Sequence, residues 1–259
     1  MMFPNRARSE NCAHDADKRD VINPYRRAVL AFPGRVFCFA SPGDEQAPRG
    51  NETELAARCV ADKPRRLLEL GSGSGNHLIE LARRHPEANC FGFELRYKRS
   101  VRTIQKAEQA GVHNLFVFRT DGLFAERYFA PGSVSALYVN FPDPWAKQKQ
   151  LKHRLLGPEL LTTAARLLIP NGTFSVKTDH REYFAGFLAA IHASQFFHVA
   201  EQSQDLAQSP YMGENIMTEF EALFRSQGLP IYYLKLRRRA LHAPSLTASA
   251  VSSATQSMS

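Results

Sequence analysis

The sequence predicts an α/β fold: an open, mostly parallel central sheet with helices on both faces. Apolar runs of strand length alternate with helical patterns, a glycine-rich turn joins the first of these strands to a helix, and carboxylates fall at successive strand ends. In sheets of this kind, ligands bind outside the carboxyl ends of the strands. At 259 residues and 44% hydrophobic, the chain can bury one large core with extensions around it.

Residues 1–20 are polar and charged without periodicity and are expected to form a flexible leader. The strand candidates are RLLEL (66–70), ANCFGFE (88–94), LFVFR (115–119), SVSALYVNF (133–141), GTFSVKT (172–178) and PIYYLKL (230–236). Each is rich in β-branched, aromatic or leucine side chains and is bounded by turn formers. The helix candidates Asn76–Arg84, Lys98–Ala110, Pro158–Leu168 and Glu182–Ala193 each follow a turn-like segment and carry an apolar stripe. One domain is therefore expected over 21–241. Residues 242–259, rich in Ser, Ala and Thr, have too few large apolar groups to pack and are expected to be disordered.

Lys and Arg exceed Asp and Glu to give a formal net charge of +8, which favours an acidic partner such as nucleic acid. The four cysteines, Cys12, Cys38, Cys59 and Cys90, lie far apart with no C-x-x-C pair, so neither a zinc knuckle nor a disulfide framework is expected. No apolar run approaches the roughly 20 residues of a membrane span, and no signal core follows the N-terminus. A cytoplasmic location with reduced thiols is expected, and no metal site is implied.

After the first strand candidate comes GSGSGN, in which Gly71 and Gly73 let the backbone approach a ligand closely. The G-x-G-x-G spacing is not the G-x-G-x-x-G dinucleotide fingerprint. Glu94 lies about 20 residues further on, where a carboxylate can accept both hydroxyls of a ribose. Asp121 follows the third strand and could accept from an adenine amino group, or could instead cap a turn or helix. Glu69 precedes the first glycine. Glu69 and Glu94 sit in apolar runs and are costly to bury without a partner, so ligand contact explains them better. With Asp143, these acids would repel a pyrophosphate and attract the sulfonium and ammonium of S-adenosyl-L-methionine.

In NFPDPW, Pro142 and Pro144 hold Asp143 on a stiff, non-helical turn. Lys147, Lys149, Lys152, His153 and Arg154 follow at once, a cationic surface able to hold a polyanion near Asp143. The same pattern could be a tight turn before a solvated basic helix.

With LELGSGSG, Glu94, Asp121 and FPDPW followed by KQKQLKHR, all in this order, the chain resembles the bacterial tRNA (guanine-N7-)-methyltransferase family from about Arg65 to Leu236. VKTD, ending at Asp179, and TEFE, Thr218–Glu221, fall in register with it. The resemblance implies a class I methyltransferase Rossmann-like fold with a C-terminal antiparallel strand, S-adenosyl-L-methionine as cofactor, and tRNA as partner, methylated at N7 of a variable-loop guanine. It implies that Glu69, Gly71, Gly73, Glu94, Asp121 and Asp143 bind the donor, with Asp143 also catalytic. Lys147, Asp179, Thr218, Glu219, Phe220 and Glu221 would contact substrate, and Lys149, Lys152, His153 and Arg154 would face RNA. Asp143 is expected to act electrostatically in a partly dehydrated site, and Phe220 either to stack on a base or to pack in the core. Relatives include monomers and homodimers.

Gln148, Gln150 and Leu151 interrupt a basic stretch that is often denser in relatives. Arg26, Arg27, Arg35, Lys98, Arg99 and Arg102 are further candidates for phosphate contact, each also explained individually as solvated surface. A methyltransferase with another acceptor, a nicotinamide oxidoreductase and a non-catalytic RNA-binding protein are the competing functions.

Overall fold

The computed structural model describes residues 23–38, 52–145 and 148–240. The expected leader and tail, and Lys147, lie outside the described residues, as does the side chain of Lys152.

Eight strands form one sheet in the order β1-β4-β3-β2-β5-β6-β8-β7. They are β1 (Val36–Cys38), β2 (Arg65–Leu70), β3 (Ala88–Phe93), β4 (Leu115–Arg119), β5 (Val134–Asn140), β6 (Leu168–Thr178), β7 (Phe197–Ser203) and β8 (Tyr232–Arg238). β1 to β6 pair in parallel, and β8 runs antiparallel to both β6 and β7. The expected α/β fold with a C-terminal antiparallel strand is thus observed, and all six strand candidates are strands. The helices are α1 (Pro24–Ala28), α2 (Glu52–Asp62), α3 (Asn76–Arg84), α4 (Tyr97–Gln109), α5 (Pro158–Leu167), α6 (Arg181–His192) and α7 (Glu219–Ser226).

β3 is buried at all six positions, as a central parallel strand covered on both faces must be. Its alternate residues feed different cores. Phe91 and Phe93 join Leu68, Phe118, Phe129 and Leu137 under α5 and α6, with Phe91 and Phe129 edge to face at 5.0 Å between centroids. Cys90 joins Leu67, Leu115 and Val117 under Leu78 and Leu81 of α3 and Val101 and Ile104 of α4. Each such aromatic or leucine side chain contributes about 1.5–3 kcal/mol on burial.

The chain leaves β2 toward β3 on one side and returns to β5 on the other. This reversal opens a crevice at the carboxyl ends of β2, β3 and β5, the topological switch point where doubly wound sheets bind ligands.

Candidate active site

A cavity of about 440 Å³ occupies that crevice. Its walls are the glycine turn after β2, the ends of β3 and β4, the turn after β5, and Thr218–Phe220 at the start of α7. The fold brings Glu69, Gly71, Gly73, Glu94, Asp121, Asp143, Thr218, Glu219 and Phe220 to this one cavity. Asp179 lies outside its lining, as does Glu221, which is fully buried.

Gly71 and Gly73 adopt φ of 74° and 57°, the left-handed region, and a Cβ on either would meet nothing within 4 Å. The turn therefore needs glycine for its backbone conformation and leaves open space beside it.

Glu69 is 2% exposed. Its Oε1 accepts from Nδ2 of Asn140 at 2.9 Å. Its Oε2 lies within ion-pair distance of Nδ1 of buried His77, at 3.2 Å, and neither atom makes a hydrogen bond. A buried carboxylate oxygen with no donor is costly, and here it belongs to the cavity wall. The hydroxyl of Ser72, also in the wall, is likewise buried without a hydrogen bond.

Glu94 is buried, and burial pushes its carboxyl up from the ordinary range, opposed by backbone amides and by Arg99. Oε2 accepts from the Gly73 amide at 3.0 Å and Oε1 from the Arg96 amide at 2.9 Å. One carboxylate thus pins the glycine turn to the end of β3, and each oxygen keeps a lone pair for a ligand. Asp121 does cap a helix, the 3-10 turn Gly122–Arg127, by accepting from the Leu123 amide at 3.0 Å. It lines the cavity as well.

Asp143 is exposed at the rim, so the dehydrated setting expected for it is not provided by this chain's own side chains. Its turn is strained: Phe141 and Trp145 take φ of 51° and 43°, rare for non-glycine residues. Arg154 braces the turn, Nε donating to the Pro144 carbonyl at 2.7 Å while the guanidinium lies 4.8 Å from the Tyr183 ring centroid. His153 packs against Trp145 at 5.6 Å. Lys149 is exposed on the 3-10 turn Gln148–His153.

T-E-F-E has a structural basis of its own. Thr218 is the N-cap of α7, its hydroxyl accepting from the Glu221 amide at 3.0 Å, the S/T-x-x-E pattern of a capping box. Glu221 is fully buried and receives Nζ of Lys177 at 2.8 Å and Nδ2 of Asn215 at 2.6 Å. Burial lowers the pKa of Lys177, which the Glu221 carboxylate opposes. Lys177 also donates to the Ile216 carbonyl at 2.8 Å, tying β6 to the segment that enters α7. Glu219 reaches across to the glycine turn, accepting from the Ser74 hydroxyl at 2.6 Å and from Nδ2 of Asn76 at 2.7 Å, and these bonds hold its carboxyl below the usual range. Phe220 is 45% exposed, with its ring 6.4 Å from Phe141 and 6.2 Å from Phe224. It is a rim residue and does not pack in the core.

Asn140, His77 and Lys177 were not among the sequence candidates. Lys177 had a signal, a lone cation inside the apolar strand run GTFSVKT, and Asn140 ends the strand next to FPDPW. His77, on α3, had none. Among the described residues, no group of three or more His, Cys, Asp or Glu is placed to hold a metal, and no helix is long and apolar enough to cross a membrane.

A glycine turn after the first central strand, acids at the ends of the next strands and this sheet order define a Rossmann-like methyltransferase. The solved structure of the 16S rRNA methyltransferase KamB shares the fold, with a TM-score of 0.54 at 18% identity over 75% of this chain and 97% of that one. The family described as "Putative methyltransferase" matches residues 63–234. The tRNA (guanine-N(7)-)-methyltransferase of Listeria monocytogenes serotype 4a is 38% identical over 170 residues, 66% of this chain and 78% of the relative. A bifunctional glycosyltransferase/methyltransferase of Fusobacterium nucleatum is 34% identical over 172 residues, and the chain spans only 27% of that longer protein. The chain belongs to the tRNA (guanine-N7-)-methyltransferase family.

Proposed function

We propose that this protein transfers a methyl group from S-adenosyl-L-methionine to N7 of a variable-loop guanine in tRNA, working in the cytoplasm as a single domain over residues 21–241. The observation that carries the donor assignment is the buried Glu69 carboxylate with one oxygen unsatisfied, in a cavity that also holds Glu94, Asp121 and Asp143. Such a wall suits a cationic amino acid joined to a nucleoside, and it repels the phosphates of a dinucleotide. Family membership supports the acceptor.

Glu69 receives the donor's ammonium, held in place by Asn140. Glu94 accepts from the ribose hydroxyls, Asp121 from the adenine amino group, and Gly71 and Gly73 let the backbone approach. When bound, S-adenosyl-L-methionine supplies an electrophilic methyl group on a positively charged sulfur. Guanine N7 has an in-plane lone pair and carries no proton, so its in-line attack needs alignment rather than a general base. Asp143 orients the guanine and stabilises positive charge as it develops on the ring, an electrostatic effect that strengthens once docked RNA covers this exposed rim. Phe220 offers an aromatic face for the base, and Asp179, Glu219 and Lys147 contact the substrate around it. Thr218 and Glu221 fix the start of α7. Lys149, Lys152, His153 and Arg154 face the RNA, with Arg154 and His153 also bracing the turn that carries Asp143.

N7 is unreachable in the deep groove of regular A-form RNA, so the target guanine must come from an irregular loop. The acceptor atom is tested with a tRNA transcript made with 7-deazaguanosine, in which carbon replaces N7. Methyl acceptance is expected to vanish relative to the guanosine transcript; undiminished acceptance would rule out N7.

A further inference from the structure

Building on the tRNA function proposed above, we propose that the surface formed by α1 and α4 is a second RNA-backbone contact, across the donor cavity from Gln148–Arg154. α4 follows β3 and the Asp143 turn follows β5, with β2 between them in the sheet, so the two cationic segments flank the cavity.

From Leu95 to Ala107 the chain carries Arg96, Lys98, Arg99, Arg102 and Lys106 and no acid. Lys98, Arg99 and Arg102 are exposed, and Lys98 and Arg102 stand one turn apart on α4. This charge is not there to stabilise the helix. The first turn of α4 has no acidic residue and no side-chain cap, so its cations sit at the positive end of the helix dipole, where they are unfavourable.

The surface is also preorganised. Nζ of Lys98 lies 5.8 Å from the Tyr25 ring centroid, and the guanidinium group of Arg26 lies 5.7 Å from that of Tyr97. The Tyr25 ring face holds Lys98 in place yet leaves its charge for an outside anion, which a carboxylate partner would not. Arg96 and Arg99 continue the surface into the cavity wall, where the acceptor must arrive. An RNA whose guanine reaches this cavity is therefore held by its backbone from both sides, and phosphate contacts of this kind set its position.

The test is the Lys98→Ala/Arg102→Ala double variant of the full chain, with unmodified tRNA titrated over a series of NaCl concentrations. Both residues are exposed, so the melting temperature and donor affinity should match wild type. The tRNA dissociation constant is expected to rise about tenfold at physiological salt, and the slope of log K against log salt to shrink by about 1.4–1.8, two phosphate contacts' worth. Lys98→Glu/Arg102→Glu should weaken binding further, with kcat at saturating tRNA unchanged for the alanine pair. Wild-type affinity and slope in the alanine variant, alongside normal N7 transfer by wild type, would overturn the surface and leave the function standing. Weakened RNA binding by the variant, with no N7 transfer by wild type, would support the surface and overturn the function.

Discussion

The side-chain amide of Asn140 donates to Oε1 of Glu69 at 2.9 Å, joining the last residue of β5 to the buried acid of β2. Asp143 follows three residues later on the same turn, so one hydrogen bond links the floor of the proposed donor subsite to the residue proposed to align the acceptor. Asn140→Ala would leave both oxygens of Glu69 without a hydrogen bond. Since a hydrogen bond to a charged group is worth about 1.5–3 kcal/mol, donor affinity should fall by roughly one to two orders of magnitude. Calorimetric titration with S-adenosylhomocysteine checks this; unchanged affinity would remove Glu69 and Asn140 from the donor site.

Lys177 and Glu221 form an ion pair with both side chains in the interior. Removing one partner strands the other charge, so Lys177→Met should destabilise by about 3–5 kcal/mol. Lys177→Met/Glu221→Leu removes both charges and should recover much of that loss. Urea denaturation of the single and double variants decides the matter, and additive losses would show that the pair is not coupled.

Much of the fold and of the acidic cavity wall is legible in the sequence. Strands such as ANCFGFE declare themselves because a central parallel strand must be apolar on both faces, and the acids at strand ends stand out against them. β1 has only three residues, and β7, at the sheet edge, exposes Ala200 while half-burying Glu201 and Ser203. Neither left a usable pattern. α7 has no helical signature in the sequence because its pattern is inverted: its one buried residue is Glu221, while Phe220 and Leu223 face outward. The capping box T-E-F-E could have located it. Arg154 reads as an RNA contact from its charge run alone; that it also bonds the Pro144 carbonyl depends on how the segment folds back and has no sequence signal.

Gly73 has φ of 57° and its amide donates to Glu94. Gly73→Ala should cost about 1 kcal/mol in backbone strain and also place a methyl group in the open space beside the turn. Donor affinity is therefore expected to fall more than folding stability does. Parallel thermal melts and donor titrations test this, and equal losses in the two would mean that the turn acts through the fold alone.

Burial raises the pKa of Glu94, so the folded protein holds this proton at a pH where the unfolded chain has released it. Its contribution to stability is accordingly largest at low pH and is lost as pH rises through the folded value. The ionised form is the stronger acceptor for ribose hydroxyls. Nucleoside affinity should weaken on acidification starting above the ordinary Glu range, and Glu94→Gln should flatten that dependence while weakening binding at neutral pH. A wild-type affinity that does not vary between pH 7 and the ordinary Glu pKa of about 4.3 would contradict this role.

The most direct measurement is methyl transfer from labelled S-adenosyl-L-methionine to unmodified tRNA, with the labelled nucleoside identified after digestion, for wild type and Asp143→Ala. N7-methylguanosine from wild type, falling by about a hundredfold or more in the variant, is the predicted result, in line with loss of one electrostatic stabiliser at the reacting centre. A different methylated nucleoside, or equal yields of N7-methylguanosine from both proteins, would contradict it.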